Sequence, residues 1–348
     1  MNRMAEAFLV YSVVASAYLL SGDCLLAQGS AREVDGQLVS AGAGSILRLD
    51  PRLDTLVPVD TTIEKLAEGF VWAEGPVWIS HESRLLFSDD AENTIYQWNE
   101  ADGASVFMRP VYEGDMAGFR KAGSNGLTLD REGRLVMAEL GYRRLSRLEE
   151  DGSRTVLVDN YEGARLNTPN DLVFGSDGSL YFTDPSGGFE GRADSPLREL
   201  DFNGIYRLWP SGGLQLLYRD QPRPNGVALS LDESTLYVSN SDRNEQIWMA
   251  YDLDASGVSN PLIFYDARDV DAPGVPDGMK LDVSGNIFAT GPGGVWVFMP
   301  DGTHLGTIGP NEPPTNVAWG DDGRTLYMTA RTGLYRIRLS TQGNMPGS

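Results

Sequence analysis

Apolar and polar residues alternate with a period of two along most of the chain, in short runs cut by Asp-Gly, Glu-Gly and Ser-Gly turns. This pattern predicts antiparallel β-hairpins throughout, and amphipathic helical spacing is nearly missing. Six segments repeat one motif: a polar residue, usually a glycine, an alternating apolar strand, a turn and a second strand. They are AEGPVWISHESRLLFSD from Ala73, SNGLTLDREGRLVMAE from Ser124, PNDLVFGSDGSLYFTD from Pro169, PNGVALSLDESTLYVSN from Pro224, PDGMKLDVSGNIFAT from Pro276 and PTNVAWGDDGRTLYMTA from Pro314. The leading polar residues are Glu74, Asn125, Asn170, Asn225, Asp277 and Thr315, spaced by 51, 45, 55, 52 and 38 residues. A second hairpin follows each motif, as in TIYQWNEADGASVFM after the first and GVWVFMPDGTHLGTI after the fifth.

A four-stranded unit recurring at this spacing is a β-propeller blade. Such a sheet cannot bury both faces alone, so blades stack around an axis and cover one another. The predicted fold is all-β, a six-bladed propeller of four-stranded antiparallel blades around a central channel. A row of separate β-sandwiches is the alternative, and the continuity of the repeat speaks against it. Ring closure calls for one blade built from both chain ends. The segment GSILRLDPRLDTLVPVDTTIEKLAEGF from Gly44 is expected to supply the outer strand of the last blade.

The 348 residues carry 28 Lys and Arg against 49 Asp and Glu, a net charge of −21. Phosphate backbones need clustered basic residues, so a nucleic-acid partner is not expected. The single cysteine, Cys24, excludes an intrachain disulfide and a thiolate zinc site in the body of the chain. His81 and His304 are the only histidines, one in a turn at the far end of the channel and one in an outer hairpin, which leaves little material for Ser/His/Asp hydrolysis. Ala7 to Leu20 is a 14-residue apolar run, short for a membrane span and suited to the core of a secretory signal. Cleavage is expected between about Gly22 and Ser30; an uncleaved anchor is the alternative. The chain then divides into a signal over 1–30, a flexible segment over 31–43 and a catalytic propeller over 44–348. A periplasmic or secreted protein with no stable membrane span after processing is expected.

The first strand of each blade lines the channel, so the six leading residues gather at one mouth. All six are oxygen donors. Two carboxylates, Glu74 and Asp277, with the amide oxygens of Asn170 and Asn225, make a hard-cation set. Their two negative charges balance a divalent ion. Ca2+ is expected first, with Mg2+, Mn2+ or Zn2+ as alternatives, zinc being disfavoured by the lack of His and Cys. Asn and Asp before glycine are also ordinary turn residues, so Asn125 and Thr315 read equally well as structural. Glu74 is a poor turn former, and Asp277 brings a full charge where its equivalents are Asn.

Glu74-Gly75-Pro76-Val77-Trp78, Asn170-Asp171, Pro224-Asn225-Gly226 and Pro276-Asp277-Gly278-Met279 resemble the regucalcin/gluconolactonase family of six-bladed propellers, over about residues 44 to 339. RLNTPNDLVF from Arg165 and GPGGVWVFMPDGTHLGTI from Gly291 look most like its bacterial gluconolactonases. The resemblance implies one divalent metal, usually calcium, at the channel mouth, and hydrolysis of a sugar-acid lactone as the small-molecule substrate. It sets Glu74, Asn225 and Asp277 as metal ligands, Asn170 as a further ligand or substrate contact, and Asp277 as general base. Asn125 joins Asn170 as a substrate contact, and Arg165 is the nearest counterpart of the family's substrate-binding arginines. Two other readings stay open: a metal-dependent organophosphate or ester hydrolase on the same site, and a calcium-binding propeller without catalysis. Substrate selection is expected in the loops Tyr112 to Gly123 and Ser186 to Asn203, which carry Arg120, Lys121, Arg192 and Arg198; solvated loop charge is the alternative for each.

Overall fold

The computed structural model describes residues 36–347. Six antiparallel sheets form the blades. The first runs Ala73–Ile79, Arg84–Asp89, Thr94–Asn99, Gly103–Met108, from the channel outward. The inner strands of the others are Ser124–Leu129, Leu172–Phe174, Pro224–Leu229, Met279–Leu281 and Asn316–Gly320. Each inner strand packs on the next, and Asn316–Gly320 returns to Ala73–Ile79, so the ring is closed as the repeat predicts. The apolar residues fall into six clusters, one between each pair of neighbouring blades. Each blade thus buries both faces on its neighbours, which is why the unit is stable only in the ring.

Closure uses the segment before the first blade twice. Ile63–Glu68 pairs with Gly333–Arg338 as the outer strand of the sixth blade, with Ile63 opposite Ile337. Trp78 of the first blade stacks on Tyr327 of the sixth, their rings 5.4 Å apart. Gly44–Arg48, expected on that same blade, instead lies on the fifth, with Ile46 opposite Ile308. Gln37–Ser40 then pairs with Gly44–Arg48, so ordered sheet begins inside the segment expected to be flexible. The edge of His304–Pro310 leaves amides and carbonyls to be paired, and the incoming chain covers them. The apolar run of the first 20 residues lies outside the described residues.

The glycines after the ring residues set how closely the inner strands approach. A Cβ on Gly75 would sit 2.0 Å from the Asn125 carbonyl oxygen, one on Gly126 2.6 Å from that of Asn170, and one on Gly226 2.2 Å from that of Asp277. The Gly126 amide donates to the Asn170 carbonyl at 2.7 Å. Hydroxyls on the second strands add latches: Ser88 donates to the Asn125 carbonyl at 2.8 Å, Thr183 to that of Asn225 at 2.6 Å, and Thr290 to that of Thr315 at 3.0 Å. Thr315 donates in turn to the Ala73 carbonyl at 2.6 Å, which ties the last blade to the first.

A residue at or near the end of the second strand pins the segment that leads into the first strand of its own blade. Asp89 accepts the Val71, Trp72 and Glu92 amides, Asp184 the Asn167 amide, and Asn240 the Arg223 amide. Burial pushes the Asp184 carboxyl up to about 7, against the opposing pull of the Asn167 amide and Arg143.

Gly226→Ala is expected to lose about 1–3 kcal/mol by overpacking two inner strands, while Gly213→Ala, whose new Cβ would meet nothing nearer than 3.7 Å, should stay near wild type. Thermal unfolding of the two checks this, and equal midpoints would contradict it. Asp184 yields a second expectation. The folded chain keeps this proton longer than the unfolded chain does, so ionisation opposes folding. Its contribution is whole below about pH 4, declines as pH rises toward 7, and is flat above. Asp184→Asn should remove that decline, read from urea unfolding at acid and neutral pH; identical pH slopes would count against it.

Candidate active site

The inner strands begin at one mouth of the channel, and their first residues converge there. Glu74, Asn125, Asp277 and Thr315 are buried, at 3%, 4%, 7% and 3% exposure, while Asn170 and Asn225 are half-buried. The mouth is therefore open on the side of the third and fourth blades. The side-chain oxygens of Asn125, Asn170 and Asn225 and Oδ1 of Asp277 are buried and have no hydrogen-bond partner among the described residues. The Asn side chains are nonetheless anchored where their neighbours allow it. Asn225 Nδ2 donates to Ser241 Oγ at 2.8 Å, and that hydroxyl donates to the Pro276 carbonyl at 2.7 Å, so one serine links two ring positions. Asn125 Nδ2 donates to Asp90 at 3.2 Å.

Glu74 is lightly held, by the Gly75 amide at 3.2 Å and Trp72 Nε1 at 3.4 Å. Burial, then the charge of Asp90, push its carboxyl up to about 8, against the pull of Lys121. Burial, then the charge of Glu74, hold Asp277 well above the ordinary carboxylate range. Both carboxylates thus lack a sufficient cation within the chain.

Four residues that the repeat does not single out complete the electrostatics. Asp90, fully buried, pairs with Lys121 at 2.8 Å, and the Lys121 ammonium lies 4.1 Å from the Trp72 ring centre. Asp171 takes the place of the usual glycine; its carboxylate accepts the Leu172 amide and stands 3.9 Å from Lys280. Four interacting carboxylates (Glu74, Asp90, Asp171, Asp277) face two lysines, which leaves two negative charges. Unpartnered oxygens and a twofold charge deficit fit a divalent hard cation. Among the described residues no group of three or more His, Cys, Asp or Glu gathers as a metal site, so the set depends on its amides.

The repeat therefore brings Glu74, Asn125, Asn170, Asn225 and Asp277 together. Thr315 is there too, but its hydroxyl is spent on the Ala73 carbonyl and Thr329. Arg165 is not brought to the ring: it is exposed on the short strand Ala164–Arg165, with its guanidinium on the Tyr142 carbonyl at 2.9 Å. His81 sits exposed in the turn Ser80–Glu82 at the other end of the inner strand, and His304 stacks on Trp296 with ring centres 4.1 Å apart. Neither reaches the mouth.

The profile of the SMP-30/Gluconolactonase/LRE-like region matches residues 72–332. The chain is 40% identical to a gluconolactonase of Zymomonas mobilis over 327 residues, 90% of this chain and 92% of the relative. It is 30% identical to pentonolactonase XacC of Haloferax volcanii, over 75% of this chain and 81% of the relative. Among solved structures it is similar to XC5397 of Xanthomonas campestris, a gluconolactonase, with a TM-score of 0.74, 30% identity, and 87% and 97% of the two chains covered. A calcium-binding regucalcin of Agrobacterium tumefaciens shares the fold, with a TM-score of 0.65 at 19% identity over 81% of this chain and 95% of that one. A closed ring of six blades, a mouth of carboxylates and amides, and a profile match spanning the first blade to the last agree: the chain belongs to the SMP-30/gluconolactonase/LRE-like family.

Proposed function

We propose that the protein hydrolyses a sugar-acid lactone such as gluconolactone, with one divalent cation at the channel mouth. The observation that carries this reading is the set of unpartnered buried oxygens on Asn125, Asn170, Asn225 and Asp277 beside the buried carboxylate of Glu74. The lactonase names of its relatives in Zymomonas mobilis and Haloferax volcanii support the substrate class. Glu74, Asn170, Asn225 and Asp277 would hold the ion, Ca2+ by preference. Bound there, it supplies a Lewis acid for the lactone carbonyl and offsets the charge that develops on its oxygen.

The chain's own residues then have defined tasks. Asp277 takes the proton of the water that attacks the carbonyl carbon. Its Oδ1, which has no hydrogen-bond partner among the described residues, is suited to this. The C–O bond of the ring breaks, the ring oxygen leaves as a hydroxyl with a proton, and the product is the open hydroxy acid. Asn170, on the open side, and Asn125, held in place by Asp90, orient the sugar. The reaction would run outside the cytoplasm, a reading supported by the 14-residue apolar run at the amino terminus. Activity in the periplasmic or culture fraction tests that location, and activity confined to the cytosol would refute it.

Asp277→Asn is expected to lower kcat on δ-gluconolactone by about 10²–10⁴-fold, the usual loss for a general base. Acid release in a pH-stat measures it; activity within about tenfold of wild type would exclude the assigned role. Added Ca2+ should raise the thermal midpoint of the chelator-stripped protein, by the equivalent of about 2.7 kcal/mol at a hundredfold excess over Kd, and Glu74→Gln should need far more Ca2+ for the same rise. A wild-type midpoint indifferent to divalent ions would remove the metal from the account.

A further inference from the structure

Above the acidic floor of the mouth stands a second, cationic tier. The loops over the mouth are strapped together: the Arg120 and Lys121 amides donate to the Gly188 carbonyl, the Glu190 amide to that of Gly118, and Phe119 pairs with Phe189. Lys121 turns inward to Asp90, which uses its charge. Arg120 is exposed, its Nη2 on the Gly187 carbonyl at 2.8 Å. Arg192 is exposed in the single turn Arg192–Asp194 of the partner loop. Arg223 stands two residues before the ring residue Asn225, its Nη1 3.3 Å from the Ser241 carbonyl, the serine that links Asn225 to Pro276.

These three guanidiniums repel one another. Arg223 feels the positive charges of Arg192 and Arg120, and Arg120 that of Arg192. Arg223 is half-buried, and burial also depresses its pKa. Yet none of the three forms a salt bridge with a carboxylate among the described residues, in a protein of net charge −21. The carboxylates that face Arg223 are Asp277, which belongs to the floor, and Asp242, whose Oδ1 accepts the Asn244 amide of its own hairpin. The carboxylate that acts on Arg120 is Asp90, already paired with Lys121. Cations gathered at the rim of a cleft without a salt-bridge partner are stabilised by an anion that enters it. Guanidinium forks suit carboxylate and phosphate oxygens in particular.

We propose that Arg120, Arg192 and Arg223 form an anion subsite, so that the preferred lactone carries a second anionic group, carboxylate or phosphate, at the end away from its carbonyl. This inference rests on the lactonase reading for the position of the carbonyl at the floor. A ligand lying between the tiers presents its carbonyl to the acidic floor and its charge to the arginines. A neutral sugar lactone leaves the upper tier unmatched.

The test compares kcat/KM on neutral δ-gluconolactone, on glucaro-1,4-lactone (a carboxylate) and on 6-phosphogluconolactone (a phosphate), for wild type, Arg120→Gln and Arg192→Gln in Ca2+. At low salt one anionic lactone should exceed the neutral one by about tenfold, with the advantage shrinking several-fold in each variant and at raised ionic strength. Which of the two leads identifies the group. A neutral lactone preferred over both, or a preference unchanged in the variants, overturns the subsite. If no lactone is hydrolysed, the lactonase reading has failed, and the subsite is read by calorimetry alone. Glucarate must then bind more tightly than gluconate in wild type and lose that margin in Arg192→Gln; equal binding overturns it.

Discussion

Two carboxyls buried at one channel mouth are the constraint on which the rest depends. Glu74 opens the first blade and Asp277 the fifth, and ring closure leaves them no choice but to share one mouth. Both are almost wholly buried there, and the lysines nearby are already engaged with Asp90 and Asp171. A fold that tolerates such an arrangement either keeps protons on the carboxyls or takes a counter-charge from outside the chain. The small residues behind the ring serve the same end. Gly75, Gly126 and Gly226 let adjacent inner strands approach closely, which draws the ring residues together.

Much of this was legible in the sequence. The repeat marks the first strand of every blade, and channel geometry turns a sequence position into a spatial ring. Glu74, Asn125, Asn170, Asn225 and Asp277 follow directly. Closure through the segment from Gly44 was legible for the same reason, since a propeller needs its ends joined. The split of that segment between two blades was not. Gly44–Arg48 and Ile63–Glu68 have similar alternation, and only the unpaired edge of His304–Pro310 decides which blade receives which.

The supporting residues were hidden for a different reason. Asp90 and Lys121 are 31 residues apart in different blades, and nothing in the local pattern of either announces a buried pair. Lys121 sits in a loop beside Arg120 and read as solvated charge, but its side chain is buried against Asp90 while Arg120 is exposed. Asp171 was visible as part of the Asn170-Asp171 motif, yet its contact with Lys280 crosses the channel. Arg165 shows the converse: nearness in sequence to Asn170 suggested a role at the ring, and a two-residue strand carries it to the surface instead. Spacing finds what the repeat copies into every blade; it misses what each blade adds for itself.

The most direct measurement is the anomalous scattering of a crystal grown with Mn2+. The account predicts one strong peak at the channel mouth, among the side-chain oxygens of Glu74, Asn225 and Asp277. A mouth without a peak in crystals that hold manganese elsewhere, or only water between those carboxylates, would contradict it.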